Sequence, residues 1–342
     1  MYRAFRHNLL VAALFVLALS LASNFAFAAC GQFYTATTLV KSAGKKGDKQ
    51  LINAWGLAYA PSNPFWISDE GSGLSTLYTG AGVKQSLVVT VPTASGTGVG
   101  SPTGIVYNGS GEFEVKGWSA LFIFATLDGT ISGWAPQSNP TEAIIGVNNS
   151  SSGAIYTGLA ISASGDLIFA ADNWNNKVDV YNGSFKLVNS FTDTALPAGY
   201  APFGIQDIGG QVYVAYAQTN GKTGGYIDIF TESGTFVKTL IHGKPLNQPW
   251  GFAVAPSNFG PLSGTLLISN NTNSGTINGF DPTTGAFVGT LTNSAGKNIV
   301  INQLWGIEFG GGSSSNGNTD QLFYTAGPMK NAAGIFGVIN FQ

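Results

Sequence analysis

The stretch that decides the fold is Asn53-Ala-Trp-Gly-Leu-Ala-Tyr59, because five similar segments follow it along the chain. The copies are Ser101-Pro-Thr-Gly-Ile-Val-Tyr107, Ile155-Tyr-Thr-Gly-Leu-Ala-Ile161, Ala201-Pro-Phe-Gly-Ile-Gln-Asp207, Gln248-Pro-Trp-Gly-Phe-Ala-Val254 and Gln303-Leu-Trp-Gly-Ile-Glu-Phe309. The shared glycines are Gly56, Gly104, Gly158, Gly204, Gly251 and Gly306, about 50 residues apart. A repeat of this length indicates a structural unit that is stacked or arranged in a ring.

Each repeat carries further short runs rich in β-branched and aromatic residues. Two such runs follow every glycine segment, and the first five repeats add a third run. The sixth repeat lacks this last run, whereas Tyr34-Thr-Ala-Thr-Thr-Leu-Val40 precedes the first repeat without a partner of its own. Four short strands per repeat are typical of propeller blades. The sequence therefore predicts an all-β, six-bladed β-propeller in which the N-terminal strand is the outer strand of blade six.

Composition narrows the classes of function. The chain has 342 residues, of which 9% are charged and 44% hydrophobic, with a formal net charge of −2 and 47 glycines. This hydrophobic share is sufficient for a buried core and excludes a disordered chain. A nucleic-acid binder needs a basic surface, and no basic run occurs beyond the N-terminus, so we expect no nucleic-acid partner.

The first residues have the pattern of an export signal. Arg3 and Arg6 precede an apolar run from Leu9 to Leu21, and Ala26-Phe-Ala28 fits a signal-peptidase site. We expect a signal peptide at 1–28, a single propeller domain at 29–342 and a secreted or periplasmic protein. No later segment is apolar for long enough to cross a membrane. Cys30, the only cysteine, raises the alternative of a lipid anchor, but Phe27 lies where such signals normally have a large aliphatic residue.

The loop of the third repeat carries a family resemblance. Ala171-Asp-Asn-Trp-Asn-Asn-Lys-Val178 is similar to the NHL-repeat pattern of Asp, Asn, a basic residue and an aliphatic residue between two strands. The chain after the signal also resembles a family of secreted bacterial propellers described as conserved hypothetical proteins, some of which bear a PEP-CTERM sorting tail. The features that carry this second resemblance are Asn53-Ala-Trp-Gly56, Pro64-Phe-Trp-Ile-Ser-Asp69 and Gln248-Pro-Trp-Gly251. It implies a propeller fold and no particular reaction, and the tail is missing here.

Oxygen-bearing side chains recur where a propeller could hold a cation. Gluconolactonase and regucalcin-like propellers bind calcium at the axis through carboxylates and amides, so calcium is the one cofactor to consider. The candidate ligands here are Asn53, Asp69, Asp172, Asn270 and Glu308. Asp69, Asp172 and Asn270 share one repeat position, where such side chains also fold back on backbone N–H groups and fix a turn. Glu308 is unusual because the other repeats have small or uncharged residues there, and a solvated channel carboxylate is the alternative to a ligand.

Aromatic residues precede the shared glycine in four repeats. Trp55, Trp250 and Trp305, with Phe203 in register, could form a rim that stacks on a sugar or another flat ligand. Packing between blades is the alternative interpretation. Catalytic residues are not assigned, because His242 is the only histidine after the predicted signal and its connection between repeats is a solvated loop. One histidine and one cysteine also exclude a His/Cys zinc site within one chain.

Three functions compete. The sequence favours a secreted, NHL-like and non-catalytic propeller that binds a small molecule, a glycan or a protein, and acts as a monomer. The first alternative is a calcium-dependent hydrolase of the gluconolactonase or regucalcin type. The second is a structural surface or matrix protein, which the low charge would suit.

Overall fold

The computed structural model describes residues 32–45 and 47–342, which form six four-stranded antiparallel sheets. The first strand, β1 (Tyr34–Lys41), belongs to the last sheet. Blade 1 contains β2 (Ala54–Tyr59), β3 (Phe65–Asp69), β4 (Leu74–Tyr78) and β5 (Lys84–Thr90). Blade 2 contains β6 (Pro102–Tyr107), then a small hairpin of β7 (Glu114–Val115) and β8 (Trp118–Ser119), and then β9 (Phe122–Thr126), β10 (Thr130–Trp134) and β11 (Ile144–Asn148).

The remaining blades repeat this order. Blade 3 contains β12 (Tyr156–Ile161), β13 (Leu167–Asp172), β14 (Lys177–Asn182) and β15 (Leu187–Phe191). Blade 4 contains β16 (Tyr200–Asp207), β17 (Gln211–Gln218), β18 (Tyr226–Thr231) and β19 (Phe236–His242). Blade 5 contains β20 (Pro249–Val254), β21 (Leu266–Asn270), β22 (Ile277–Phe280) and β23 (Phe287–Thr290). Blade 6 contains β24 (Leu304–Phe309), β25 (Leu322–Ala326), β26 (Ile335–Phe341) and β1.

The first strands of the blades form the inner layer of a ring. Each inner strand contacts the inner strands of both neighbouring blades, and β24 contacts β2. A six-bladed propeller is thus confirmed. Beyond the strands, the helical elements of the described chain are the short 3₁₀ turns Ser150–Ser152 and Gly260–Leu262, and none has the length of a membrane span.

The N-terminal strand closes the ring as the sequence predicts. β1 pairs antiparallel with β26, from Tyr34 opposite Phe341 to Lys41 opposite Ile335. Tyr34 is buried, and its hydroxyl donates to the Phe259 carbonyl (2.8 Å) and accepts from the Leu262 N–H (3.1 Å). Because Phe259 and Leu262 belong to blade 5, β1 joins two blades. The predicted signal peptide at 1–28 and Cys30 lie outside the described residues.

The shared glycines allow neighbouring inner strands to approach closely. A Cβ atom on Gly56 would lie 2.6 Å from the Thr103 carbonyl oxygen, and one on Gly251 would lie 2.8 Å from the Trp305 carbonyl oxygen. Both distances are shorter than any side chain could tolerate without movement of the neighbouring backbone. The repeat signal therefore has a steric cause at the crowded centre of the ring.

The longer connections leave from one end of the inner strands. The connection after β6 carries the β7–β8 hairpin, and the connection after β20 carries the turn Gly260–Leu262. In an antiparallel blade, all connections between the first and second strands lie on the same face. These two connections therefore lie on the face where the inner strands end.

Candidate functional site

The aromatic residues predicted as a rim form one buried cluster. Trp55, Trp250 and Trp305 are 6%, 8% and 3% exposed, and Phe203 packs against them. The rings of Trp55 and Trp305 are stacked with centroids 3.6 Å apart, and Trp250 meets Trp55 edge to face at 6.1 Å. The structure thus brings the four residues together, but as rings packed on one another. A ligand-binding role for them stays a prediction.

Hydrogen bonds hold this tryptophan cluster (Trp55, Trp250 and Trp305) across the centre of the ring. The Trp250 indole N–H donates to the Thr157 carbonyl of blade 3 (2.9 Å), and the Trp305 indole N–H donates to Asn53 Oδ1 (3.0 Å). The buried Trp55 indole N–H has no partner among the described residues. Rings from blades 1, 5 and 6 therefore close the axis at the end where the inner strands begin.

The carboxylates of Asp69 and Asp172 accept hydrogen bonds from groups of their own blades. The buried Asp69 carboxylate accepts from the Thr76 N–H (3.0 Å) and hydroxyl (2.7 Å), and burial raises its pKa well above the usual range. Asp172 accepts from the Ile155 N–H (3.2 Å) and from the Asn175 side chain (2.7 Å). These contacts fix the loops that follow β3 and β13.

The two amide candidates, Asn270 and Asn53, also have hydrogen-bond partners. Asn270 accepts from the Asn247 N–H (3.0 Å) and donates to the Pro245 carbonyl (2.8 Å). Asn53 accepts from Trp305, as above, and donates to Glu70 Oε2 (2.6 Å). Across the described residues, no group of three or more His, Cys, Asp or Glu side chains could hold a metal ion. Asp69, Asp172 and Glu308 are therefore not gathered into one ligand set, and the role of all five candidates as ligands stays a prediction.

A channel occupies the axis beyond the tryptophan cluster. Its volume is about 430 Å³, and it reaches from Trp250 to the ends of the inner strands. Half of the residues that line it are aliphatic, and the described residues in this lining include no Lys, Arg or His. The polar lining side chains are Tyr59, Tyr107, Gln206 and Glu308.

Glu308 is the one carboxylic acid in this lining. It lies two residues after the shared glycine of β24, in a layer with Ala58, Val106, Gln206 and Ala253. Burial raises the pKa of Glu308 to about 8, and no charged group or hydrogen-bond donor of the described chain lowers it. Burial and the nearby charge of Glu308 together raise the pKa of Tyr59 to about 12. The channel thus contains a carboxyl group with no counterion.

The sequence pattern indicated Glu308 but not the tyrosine residues that line the channel with it. Tyr59 and Tyr107 occupy the third position after the shared glycine, and both line the channel. This position could have been identified from the aligned repeats, because every residue there ends an inner strand. Glu308 is also separated from Asp69, because Asp69 pairs with Ala54 where β2 begins, whereas Glu308 lies where β24 ends. Asp69 and Glu308 therefore do not belong to one set of ligands in the channel.

The fold and the channel define the chain as a six-bladed propeller with an axial cavity. No family model matches it. It is 30% identical over 311 residues to Uncharacterized protein R648 of Acanthamoeba polyphaga mimivirus, over 85% of this chain and 76% of the viral protein. The chain belongs to the family of that viral protein.

Solved structures of other propellers share the fold at low sequence identity. A gluconolactonase from Xanthomonas campestris matches with a TM-score of 0.57 and 15% identity, over 90% of each chain. A streptogramin B lyase matches with a TM-score of 0.55 and 12% identity, over 90% of this chain and 98% of the lyase. These likenesses show a shared propeller fold and carry no activity to this chain.

Proposed function

We propose that this protein is a binding propeller that takes a small molecule into its axial channel. The observation that carries the proposal is a cavity of about 430 Å³ that ends at packed tryptophan rings and contains one carboxyl group. Ligand sites are commonly concave and mostly apolar, measure about 300–1,000 Å³, and hold a few polar groups that orient the ligand. The channel is concave, its volume lies in this range, and it holds a few polar side chains.

A calcium-dependent hydrolase is the competing proposal. Calcium needs about six to eight oxygen ligands, and the layer around Glu308 offers alanine, valine and one glutamine side chain. Acid–base chemistry typically employs a pair of ionisable groups with separated pKa values, and the channel lining has one carboxyl group. The chemistry of the lining therefore favours binding, and a structural or matrix role would leave the cavity unexplained.

A thermal-shift screen of small metabolites tests the channel as the binding site. We expect ligands to raise the melting temperature of the chain 29–342, since a ligand at one hundred times its Kd adds about 2.7 kcal/mol. Gln206→Trp should strongly reduce these shifts, because the exposed Gln206 side chain lies at the channel and an indole there would narrow it. The screen is repeated with added calcium and with chelator.

Val188→Trp is the matched control, because Val188 is 53% exposed on the outer strand of blade 3, away from the channel. It should leave every ligand shift intact. Ligand shifts that survive Gln206→Trp would contradict the proposed site. A melting temperature that falls with chelator, together with lactone hydrolysis that stops, would favour the hydrolase instead.

We also propose that the protein is exported, as the resemblance to secreted bacterial propellers implies. The positive start, the apolar run and Ala26-Phe-Ala28 support cleavage after Ala28. In a bacterial host that exports the full chain, we expect N-terminal sequencing of the recovered protein to begin at Ala29. An intact Met1, or a lipid on Cys30, would contradict cleavage at this site.

A further inference from the structure

The carboxyl group of Glu308 lines the channel and has no positively charged partner among the lining residues. Ala58, Val106 and Ala253, which lie in the same layer, provide no donor, and Gln206 is the one other polar side chain there. Glu308 is half-buried on the channel wall, and a charged carboxylate beside apolar side chains is costly unless it is paired. A ligand that supplies a positive charge would relieve this cost and stabilise the carboxylate.

The sign of the charge that the channel accepts follows from its lining. An anion would find no Lys, Arg or His side chain among the lining residues and would be repelled by the carboxylate. A bare metal ion would lack oxygen ligands, as argued above. A primary organic ammonium ion has three N–H donors. One carboxylate and a few further hydrogen-bond acceptors are enough to satisfy them.

The channel walls indicate what kind of molecule would carry the positive charge. Ile161, Ile208 and Val254 line the channel together with the rings of Tyr59 and Tyr107. Aliphatic walls bury hydrocarbon, and aromatic faces also attract cations. The channel therefore fits a molecule with an ammonium group on an apolar body.

From these observations we infer that the channel selects organic amines, with the ammonium group bound at Glu308 and the hydrocarbon part against the aliphatic wall. This inference rests on the proposed function and specifies its class of ligand. Glu308 is then a residue that determines specificity, and Gln206 is a neutral neighbour in the same layer.

Calorimetric titration with hexylamine, hexanol and hexanoate tests the choice of charge. The three probes share one hydrocarbon chain and differ in the head group, so differences in their Kd report the recognition of charge. We expect wild-type protein to bind hexylamine about tenfold or more tighter than hexanol, as for a hydrogen-bonded charge, and to bind hexanoate weakest. In Glu308→Gln, which preserves shape, the preference for hexylamine over hexanol should fall to about twofold or less.

Gln206→Glu is the matched gain-of-charge variant, because it adds a carboxylate to the same layer. It should strengthen hexylamine binding without affecting hexanol. Equal binding of hexylamine and hexanol by wild type, or an unchanged preference in Glu308→Gln, would overturn the amine inference and leave a binding channel for other ligands. If no probe binds wild type, the amine inference fails, and the screen described above decides the proposed function separately.

Discussion

A chain that lacks residues 29–42 is expected to lose several kcal/mol of stability, or to remain unfolded. The deletion removes β1, and with it all antiparallel pairing along the outer edge of β26. It also removes the Tyr34 ring, which is 2% exposed and packs on Phe259 and Phe341. Truncation of a buried aromatic side chain alone costs about 3–5 kcal/mol, which is a large part of the 5–15 kcal/mol of a typical domain.

Urea unfolding followed by tryptophan fluorescence measures this loss. Tyr34→Phe keeps the ring and removes only the hydroxyl that contacts Phe259 and Leu262, so it should cost about 1–2 kcal/mol. Thr37→Ala, at an exposed position of β1, should change stability by less than about 0.5 kcal/mol. A synthetic peptide of residues 29–42 added to the truncated chain should restore the transition. Equal urea midpoints for truncated and complete chains would show that β1 contributes nothing to closure.

Asp228→Asn is expected to stabilise the protein above neutral pH. Asp228 lies on β18 and is fully buried, and neither of its carboxylate oxygens has a partner of good hydrogen-bond geometry in the described chain, although the Thr239 side chain lies nearby. Burial raises the pKa of Asp228 to about 7; the Thr239 side chain opposes this shift, and the nearby Asp193 carboxylate adds to it. Blade 5 has Asn278 at the same repeat position, so an amide fits this environment.

The direction of the pH dependence follows from proton linkage. The pKa of Asp228 is higher in the folded than in the unfolded chain, so folding retains a proton that the unfolded chain releases. Its contribution to stability is complete below the unfolded pKa of about 4 and is lost as pH rises to about 7. A pKa difference of one is worth about 1.4 kcal/mol, so the wild type should lose a few kcal/mol across this window. Asp228→Asn should remove the part of this loss that Asp228 causes, whereas Asp69, Asp207 and Glu308, whose pKa values are also raised, retain their own contributions.

Asp179, the equivalent residue of blade 3, is a matched control for which we expect the opposite change in stability. Asp179 forms an ion pair with Lys177 (2.7 Å) and accepts from the Ser190 hydroxyl (2.6 Å), whereas blade 4 has Tyr226 in place of that lysine. Asp179→Asn should therefore destabilise the protein at pH 8. Urea midpoints between pH 4 and pH 8 check both variants. If wild type and Asp228→Asn have parallel pH profiles, Asp228 is not the group that titrates.

The sequence predicted the architecture because each blade repeats one steric requirement. Gly56 and its five equivalents mark the crowded inner strands, and the spare strand at Tyr34 completes the count of strands. The alignment also placed Trp55, Trp250 and Trp305 at one level of the ring. It could not show that their rings meet and close the axis, because that depends on side-chain directions from three different blades.

The candidate site was harder to predict for the same reason. Asp69 and Asp172 share a repeat position whether they hold a cation or fix a turn, and the sequence alone does not show the hydrogen bonds that Asp69 accepts from Thr76 and Asp172 accepts from Asn175. Glu308 was visible as an exception to its repeat position. The apolar layer that leaves it without a counterion is formed by residues from several blades, and no single segment of sequence contains it.

Pairing of β1 with β26 has a consequence for biosynthesis. β1 is the first strand of the propeller to be synthesised, and its partner ends at Phe341, one residue before the C-terminus of this chain. Contacts between residues so far apart in sequence form late, because a long loop must be closed first. The ring can therefore close only after synthesis has reached β26. Until then β1 has a free edge, and the blades already synthesised are not held in a closed ring.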